Sequence, residues 1–170
     1  RQTKDYTRPK DCEAMYNLGL ILKQEGKVEA AMDTLYRAVW NYNYNSAGNF
    51  QLAQLYVAQG DIPMALERLD EAIARNADNF SALNLKATIL RTRGDKAGAS
   101  ACVKRVSETD PVNAYAAYEQ LLLGESDYFE TLMRDEPESY LELALAYLHN
   151  GFPETAVELL ERIDARTAYP

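Results

Sequence analysis

The chain has 170 residues, of which 47% are hydrophobic and 26% are charged, so it can form one domain with a packed core. Its net charge of −8 argues against a nucleic-acid-binding protein, because phosphate contacts depend on lysine and arginine. No apolar run approaches the roughly 18 residues that a spanning helix requires, so we expect no membrane insertion.

The beginning of the chain predicts a fragment of a larger, bacterial protein. Residues 1–10 are polar and basic, without a signal peptide, and no initiator methionine is present. We interpret residues 1–11 as a linker or as the end of a preceding repeat. The cytoplasm is the favoured compartment, and the periplasm is the alternative if the parent protein carries a signal peptide.

The negative charge is concentrated in the last part of the chain. Residues 107–170 contain 3 lysines and arginines against 14 acidic residues. A basic partner would fit this surface, but a solvated face explains it more simply.

One apolar pattern recurs every 34 residues and is punctuated by Gly26, Gly60 and Gly94. A period of this length is typical of solenoids, in which each unit buries its apolar face only against its neighbours. Within the first unit, apolar residues follow two helical stripes, Met15/Leu18/Leu22 and Ala31/Leu35/Ala38/Val39. A glycine between the stripes ends the first helix, and in the second unit Asp61 can cap the next. The pattern therefore predicts pairs of antiparallel helices.

These units resemble the tetratricopeptide repeat (TPR) family. The match rests on Met15, Leu18-Gly19, Leu22, Gly26, Ala31, Leu35 and Ala38, and on the corresponding residues of the later units. The resemblance implies an all-α fold, a right-handed α-α superhelix. It divides residues 12–170 into five repeats, at 12–45, 46–79, 80–113, 114–136 and 137–170.

The fourth repeat is 11 residues short, because Gly151 follows Gly94 by 57 residues. We expect a compressed helix pair at 114–123 and 127–134 with a turn at Gly124, in which Asp127 and Glu130 cap the second helix. In the third repeat, Lys86 stands where the family has a buried leucine. Either its stem snorkels to the surface or Leu85 takes over the packing.

The resemblance also implies a binding groove on the concave face, lined by the first helix of each repeat. The candidate groove residues are aromatic, apolar or amide side chains that suit a peptide: Tyr16, Asn17, Leu20, Phe50, Gln51, Gln54, Asn84, Thr88 and Tyr118. Alternatively, some of the aromatics only pack between repeats. A second aromatic group, Trp40, Tyr42 and Tyr44, is expected to seal an edge between repeats, with exposed recognition as the weaker alternative.

One TPR subfamily holds acidic C-terminal tails in a clamp of cationic and amide residues. The matching positions here are Tyr16, Leu20, Gln51, Ser81 and Leu85, and none of them is cationic. The sequence therefore excludes that clamp.

No constellation of residues predicts catalysis, a cofactor or a metal. The glycines are single, the cysteines Cys12 and Cys102 lie far apart, and His149 is the one histidine of the chain. We therefore expect a non-enzymatic protein without cofactors.

The leading hypothesis for function is a scaffold that binds a partner protein or peptide in the concave groove. The alternative is a self-association or spacer module of a larger, multidomain and perhaps enzymatic protein. It is motivated by the last helix, because no later helix would cover Val157, Leu159, Leu160 and Ile163, so we include a homodimer through the C-terminal repeat. An RNA reader of the pentatricopeptide type is disfavoured by the acidic balance.

Overall fold

The structure, a computed structural model, describes the backbone of residues 12–134 and 136–167 and the side chains up to residue 163. Residues 1–11, interpreted above as a linker or preceding repeat, lie outside this part. The described chain forms ten helices: α1 Glu13–Gln24, α2 Val28–Ala38, α3 Tyr42–Gln59, α4 Ile62–Arg75, α5 Phe80–Thr92, α6 Lys96–Thr109, α7 Ala114–Leu123, α8 Tyr128–Met133, α9 Pro137–His149 and α10 Pro153–Thr167.

The helices pack as consecutive antiparallel pairs, which confirms the predicted all-α superhelix. A left-handed glycine follows the first helix of each pair. At Gly60, for example, φ is 77° and the N–H bonds back to the carbonyl of Val57 at 3.0 Å. Among the described residues, no helix combines the length and the apolar character needed to cross a membrane.

Small residues early in the second helices allow the paired helices to approach closely. Ala31, Ala65 and Ala99 are fully buried. A Cβ atom at Gly19 would lie 2.7 Å from the side chain of Leu35, so this helix contact requires glycine. Leu18 is 45% exposed instead of buried, because no described helix precedes α1 to cover it.

The second repeat begins its first helix earlier than the pattern predicts, at Tyr42. Asn43 stands where the family has a closing proline, so nothing interrupts a helix there. Asn41 caps α3 by accepting a hydrogen bond from the N–H of Asn43 at 2.9 Å. Asn45 lies inside the helix and donates to the carbonyl of Val39 at 2.7 Å. As a result α3 has 18 residues and is the longest helix of the described chain.

The shortened fourth repeat is a compressed helix pair, as predicted. Helix α7 ends at Gly124 in the left-handed conformation, and α8 has only 6 residues. The expected cap by Asp127 is wrong, since its side chain makes no capping hydrogen bond. Instead the hydroxyl of Ser126 accepts from the N–H of Tyr128 at 3.2 Å.

Both alternatives for Lys86 hold at once. Leu85 is fully buried in the core shared by α3, α4 and α5. Lys86 extends its stem to the surface, where Nζ lies 2.5 Å from a carboxylate oxygen of Asp70. Leu85 therefore does not face a groove.

The last helix buries most of the apolar residues that were expected to be uncovered. Leu159 and Ile163 pack in the core with Tyr140 and Tyr147, and only Val157 is more than half exposed, at 52%. Substituting Leu159 would therefore disrupt the core and would not test an interface. The homodimer stays a prediction.

Candidate functional site

The first helices of the repeats face one another across the inside of the superhelix. Side chains of α1, α3 and α9 line one cavity, and side chains of α3, α5, α7 and α9 line a second. The structure brings all nine candidate groove residues to this inner face but divides them by burial. We call the accessible group the open section and the buried group the closed section.

The open section lies on α1 and α3 and keeps partly accessible side chains. Its members are Tyr16, Asn17, Leu20, Phe50 and Gln51. Tyr16 stacks on Tyr44 with ring centroids 5.4 Å apart, so the two aromatics support each other at the rim. Burial raises the pKa of Tyr16, while a hydrogen bond with Gln51 opposes that shift. These residues present an apolar and amide surface that a peptide can contact.

The closed section has almost no accessible surface, contrary to the expectation of a continuous groove. Gln54 and Asn84 are 7% and 6% exposed, and Thr88 and Tyr118 are 0% and 1% exposed. Tyr118 packs against Phe129 and Tyr147, at centroid distances of 4.8 Å and 5.8 Å. The short fourth repeat brings α9 close enough to cover these side chains. In this arrangement they bind other parts of the same chain.

A buried carboxylate, Glu119, organises the closed section. It is fully buried on α7 and pairs with Arg91, whose Nε lies 2.6 Å from Oε2. Thr88 and Tyr147 donate to Oε1 at 2.7 Å and 2.9 Å. Burial raises the pKa of Tyr147 well above its usual value, and the neighbouring Tyr115 and Glu119 add to the shift. Each polar group therefore compensates another in a dry interior.

Further hydrogen bonds extend from Glu119 to α1, and all of them run in one direction. Because Thr88 donates to the carboxylate, it accepts from Tyr115 at 2.9 Å. Asn150 donates to Tyr115 at 3.2 Å and accepts from Gln54 at 2.7 Å. Gln54 in turn accepts from Lys23. We call this the Lys23–Glu119 chain, since a cation stands at one end and an anion at the other.

Sequence reasoning missed four members of this chain: Lys23, Tyr115, Glu119 and Asn150. One signal was available, because Glu119 is the only charged residue of the otherwise apolar α7. A lone carboxylate in such a helix indicates a buried, paired group. The other three were not predictable from the repeat, because their partners come from non-adjacent repeats.

Lys23 lies at the boundary between the two sections and lines the first cavity. Its Nζ donates to Oε1 of Gln51 at 2.8 Å and also to Gln54. The cavity has a volume of about 300 Å³ and is bordered by Leu20, Gln24 and His149 as well. Burial lowers the pKa of Lys23 to about 8, because the ammonium loses hydration without gaining an anionic partner.

The second cavity lies on the other side of His149 and has a volume of about 210 Å³. Phe50 and Ser81 border it, together with Asn84. Oδ1 of Asn84 is buried and has no hydrogen-bond partner among the described residues. An acceptor of this kind is suited to a donor supplied by a ligand.

The second aromatic group does not seal an edge between repeats. Trp40 and Tyr42 are 80% and 78% exposed, and only Tyr44 packs, against Tyr16. The chain runs through a tight turn at residues 39–41, which leaves both rings outside the helix contacts. In the described part of the chain, no three histidine, cysteine or acidic side chains cluster in a way that could hold a metal.

Three parts of the chain match family profiles described as tetratricopeptide repeat: residues 13–42, 50–114 and 137–162. No curated protein matches the sequence.

Solved structures show the same fold. A tetratricopeptide repeat protein from Parabacteroides merdae is 20% identical with a TM-score of 0.70, and the alignment covers 95% of this chain and 68% of that one. MamA from Desulfovibrio magneticus RS-1 is 17% identical with a TM-score of 0.64, over 92% and 95% of the two chains. YrrB, described as a TPR protein with an unusual peptide-binding site, is 13% identical with a TM-score of 0.64, over 93% and 87%.

Proposed function

Because this chain belongs to the tetratricopeptide repeat family, a kind of protein generally involved in protein–protein interaction, we propose that it is a non-catalytic module that binds a peptide segment of a partner protein. The binding surface is the open section of the inner face and the two cavities beside it. The closed section serves as the rigid support behind that surface.

The observation that carries this proposal is the accessible surface between α1 and α3. Tyr16 and Leu20 offer aromatic and aliphatic contact area, and Gln51 offers an amide that can bond a peptide backbone. Tyrosine anchors of this kind contribute strongly to interfaces, because they bury much area with few rotatable bonds. Neither cavity is large enough for a whole peptide, so each accommodates a single residue of it.

The unpartnered acceptor in the second cavity supports the same function. Asn84 pays a desolvation cost in the free protein that a backbone N–H of a bound peptide would recover. YrrB, which has the same fold, is described by its peptide-binding site, and this adds an analogy of fold only.

The test is selection from a displayed library of random peptides, followed by affinity measurement on two double variants. Tyr16→Ala/Leu20→Ala truncates the open section. Trp40→Ala/Tyr42→Ala removes two exposed aromatics outside the inner face and is the matched control. We expect the first variant to bind selected peptides at least about tenfold more weakly, since each anchor contributes roughly 1 kcal/mol or more.

The thermal midpoints of both variants should remain close to that of the wild type, which separates lost binding from lost folding. Equal affinity of the first variant and the wild type would place the peptide elsewhere. A selective loss in the control variant would move the site to the exposed Trp40 and Tyr42.

A further inference from the structure

Lys23 is a half-buried cation whose described contacts are all with neutral groups. Its Nζ donates to the side-chain oxygens of Gln51 and Gln54. No carboxylate among the described side chains forms an ion pair with it, although six other ion pairs are present in that part of the chain. An ammonium group has three N–H donors, so one remains for a further acceptor.

Such a cation is costly in the free protein and requires an explanation. Long lysine side chains normally extend their charged end into water. Here the flanking amides hold the ammonium at the wall of a cavity of about 300 Å³. The lowered pKa of Lys23, about 8, is what burial without an anion produces.

The remaining walls of the cavity add a second basic side chain and one apolar side chain. His149 occupies the last turn of α9 and lies on the wall provided by that helix. Leu20, one turn before Lys23 on α1, supplies the apolar wall. No acidic residue borders this cavity, although the whole chain has a net charge of −8.

We propose that this cavity binds one carboxylate group of the partner peptide, with Lys23 as its charge partner and Leu20 against the adjoining aliphatic carbons. This inference rests on the proposed function and specifies the chemistry of the ligand at that site. The third N–H of Lys23 donates to the carboxylate, and the amide N–H groups of Gln51 and the imidazole of His149 are the neighbouring donors. A charge-assisted hydrogen bond is roughly twice as strong as a neutral one, and partial burial protects it from screening by salt.

This subsite differs from the clamp that the sequence excludes. The clamp positions Tyr16, Leu20, Gln51, Ser81 and Leu85 remain without a cation, and Leu85 is buried in the core. Lys23 lies near the end of α1, and the cavity depends on α9 approaching across the shortened repeat. The subsite is therefore a product of this particular superhelix.

Binding should be linked to the protonation of Lys23. A bound carboxylate raises the pKa of the ammonium, so the complex takes up a proton at pH values above about 8. The other titratable groups facing the cavity are His149 on α9 and, through Gln51, Tyr16 on α1. Affinity for a carboxylate should consequently fall as pH rises from 8 toward 9.5, where an ordinary histidine is already neutral.

The test is a titration of the whole chain, followed by NMR, with three small probes. N-acetyl-leucine carries a main-chain carboxylate, N-acetyl-glutamic acid α-amide carries a side-chain carboxylate, and N-acetyl-leucinamide carries none. We expect a carboxylate probe to bind with a Kd of about 1 mM and the neutral amide to bind at least tenfold more weakly. The stronger of the two carboxylates identifies which source the subsite prefers.

Two lysine variants make the test specific. Lys23→Met keeps the length of the side chain and removes the charge, and it should abolish the preference for the carboxylate probes. Lys104→Met removes an exposed lysine on α6 and should leave it unchanged. Lys23→Met should also fold well, because it replaces a poorly hydrated cation with an apolar group.

Three results would overturn the inference. These are equal binding of the acid and amide probes, a carboxylate preference that persists in Lys23→Met, and an affinity that is constant between pH 8 and 9.5. If library-selected peptides bind the open section equally well with their carboxylates amidated, the carboxylate subsite is wrong while the proposed function stands. If no peptide is selected at all, the proposed function itself fails.

Discussion

The open and closed sections occupy the same positions of successive repeats and yet have opposite properties. Tyr16, Leu20 and Gln51 remain accessible, whereas Asn84, Thr88 and Tyr118 are covered. The difference arises from what lies opposite. Across from α5 and α7, the shortened repeat brings α9 into contact, while α1 and the start of α3 face a cavity. Position in a repeat therefore assigns a side chain to the inner face, but the curvature of the array decides whether a partner can reach it.

The largest expected effect is the loss of the carboxylate that organises the closed section. Glu119→Ala would leave Arg91, Thr88 and Tyr147 without their acceptor, and removing one partner of a buried pair typically costs about 3–5 kcal/mol. Gln51→Ala in the open section should cost less than about 1 kcal/mol, because water can replace the amide there. Urea unfolding of both variants provides the comparison.

Glu125→Ala, an exposed carboxylate six residues further along, is the control for Glu119→Ala and should change stability by about 0.5 kcal/mol at most. If Glu119→Ala and Gln51→Ala destabilised the protein equally, the two sections would not differ in the way described.

Two glycines test the contact that closes the inner face. Gly26 and Gly151 both end a first helix with positive φ, at 72° and 83°. A Cβ at Gly26 would meet nothing within 4 Å, whereas at Gly151 it would lie 2.9 Å from Cγ1 of Val57. Gly26→Ala should therefore cost only the left-handed strain of about 1–2 kcal/mol, and Gly151→Ala should cost about 1 kcal/mol more.

Thermal unfolding of the two alanine variants gives this difference directly. Adding Val57→Ala to Gly151→Ala should make the two substitutions non-additive in the stabilising direction, because the steric clash is gone. Strict additivity would mean that α3 does not approach the turn between α9 and α10.

The smallest expected effect is on the pH dependence of stability, where the two sections should act in opposite directions. The pKa of Lys23 is lowered to about 8 in the folded chain, so its burial cost is full below pH 8 and is relieved as pH rises toward the unfolded value of 10.5. The pKa values of Tyr115 and Tyr147 are raised, and that of Tyr118 is raised to about 12. Their contribution is present below pH 10 and is lost above it.

Stability measured by urea unfolding should accordingly rise from pH 8 to 9.5 and fall above pH 10. Lys23→Met should remove the rise and keep the fall, whereas Tyr147→Phe should reduce the fall and keep the rise. A rise that survives in Lys23→Met would assign it to another group.

The repeat made the helices predictable because their signals are local. Gly60, Gly124 and the cap at Asp61 lie within a few residues of the elements that they delimit. The early start of α3 was missed because the missing proline at Asn43 has no replacement signal in the pattern. Asp127 failed as a cap because the nearby Ser126 serves that role.

The candidate site was predictable only in part, because burial of the inner face is not a local property. Thr88 and Tyr118 have the sequence positions of groove residues, but their partners Glu119 and Tyr147 lie about 30 residues away along the chain. Gln54 bonds Asn150 across 96 residues. A pattern with a period of 34 describes contacts between neighbouring repeats and has no term for contacts that skip two of them.

The bond between Gln54 and Asn150 also changes how the whole array should unfold. In an ordinary solenoid each unit touches only the next, so the ends can fray independently and stability is a sum of nearest-neighbour terms. Here the second and fifth repeats are joined directly, and Phe152 packs into the core of the second and third repeats. Opening of the C-terminal repeat therefore also exposes the middle of the array. Amide hydrogen exchange in α9 should consequently follow cooperative unfolding of α3 to α9, and not the fraying of a terminal unit.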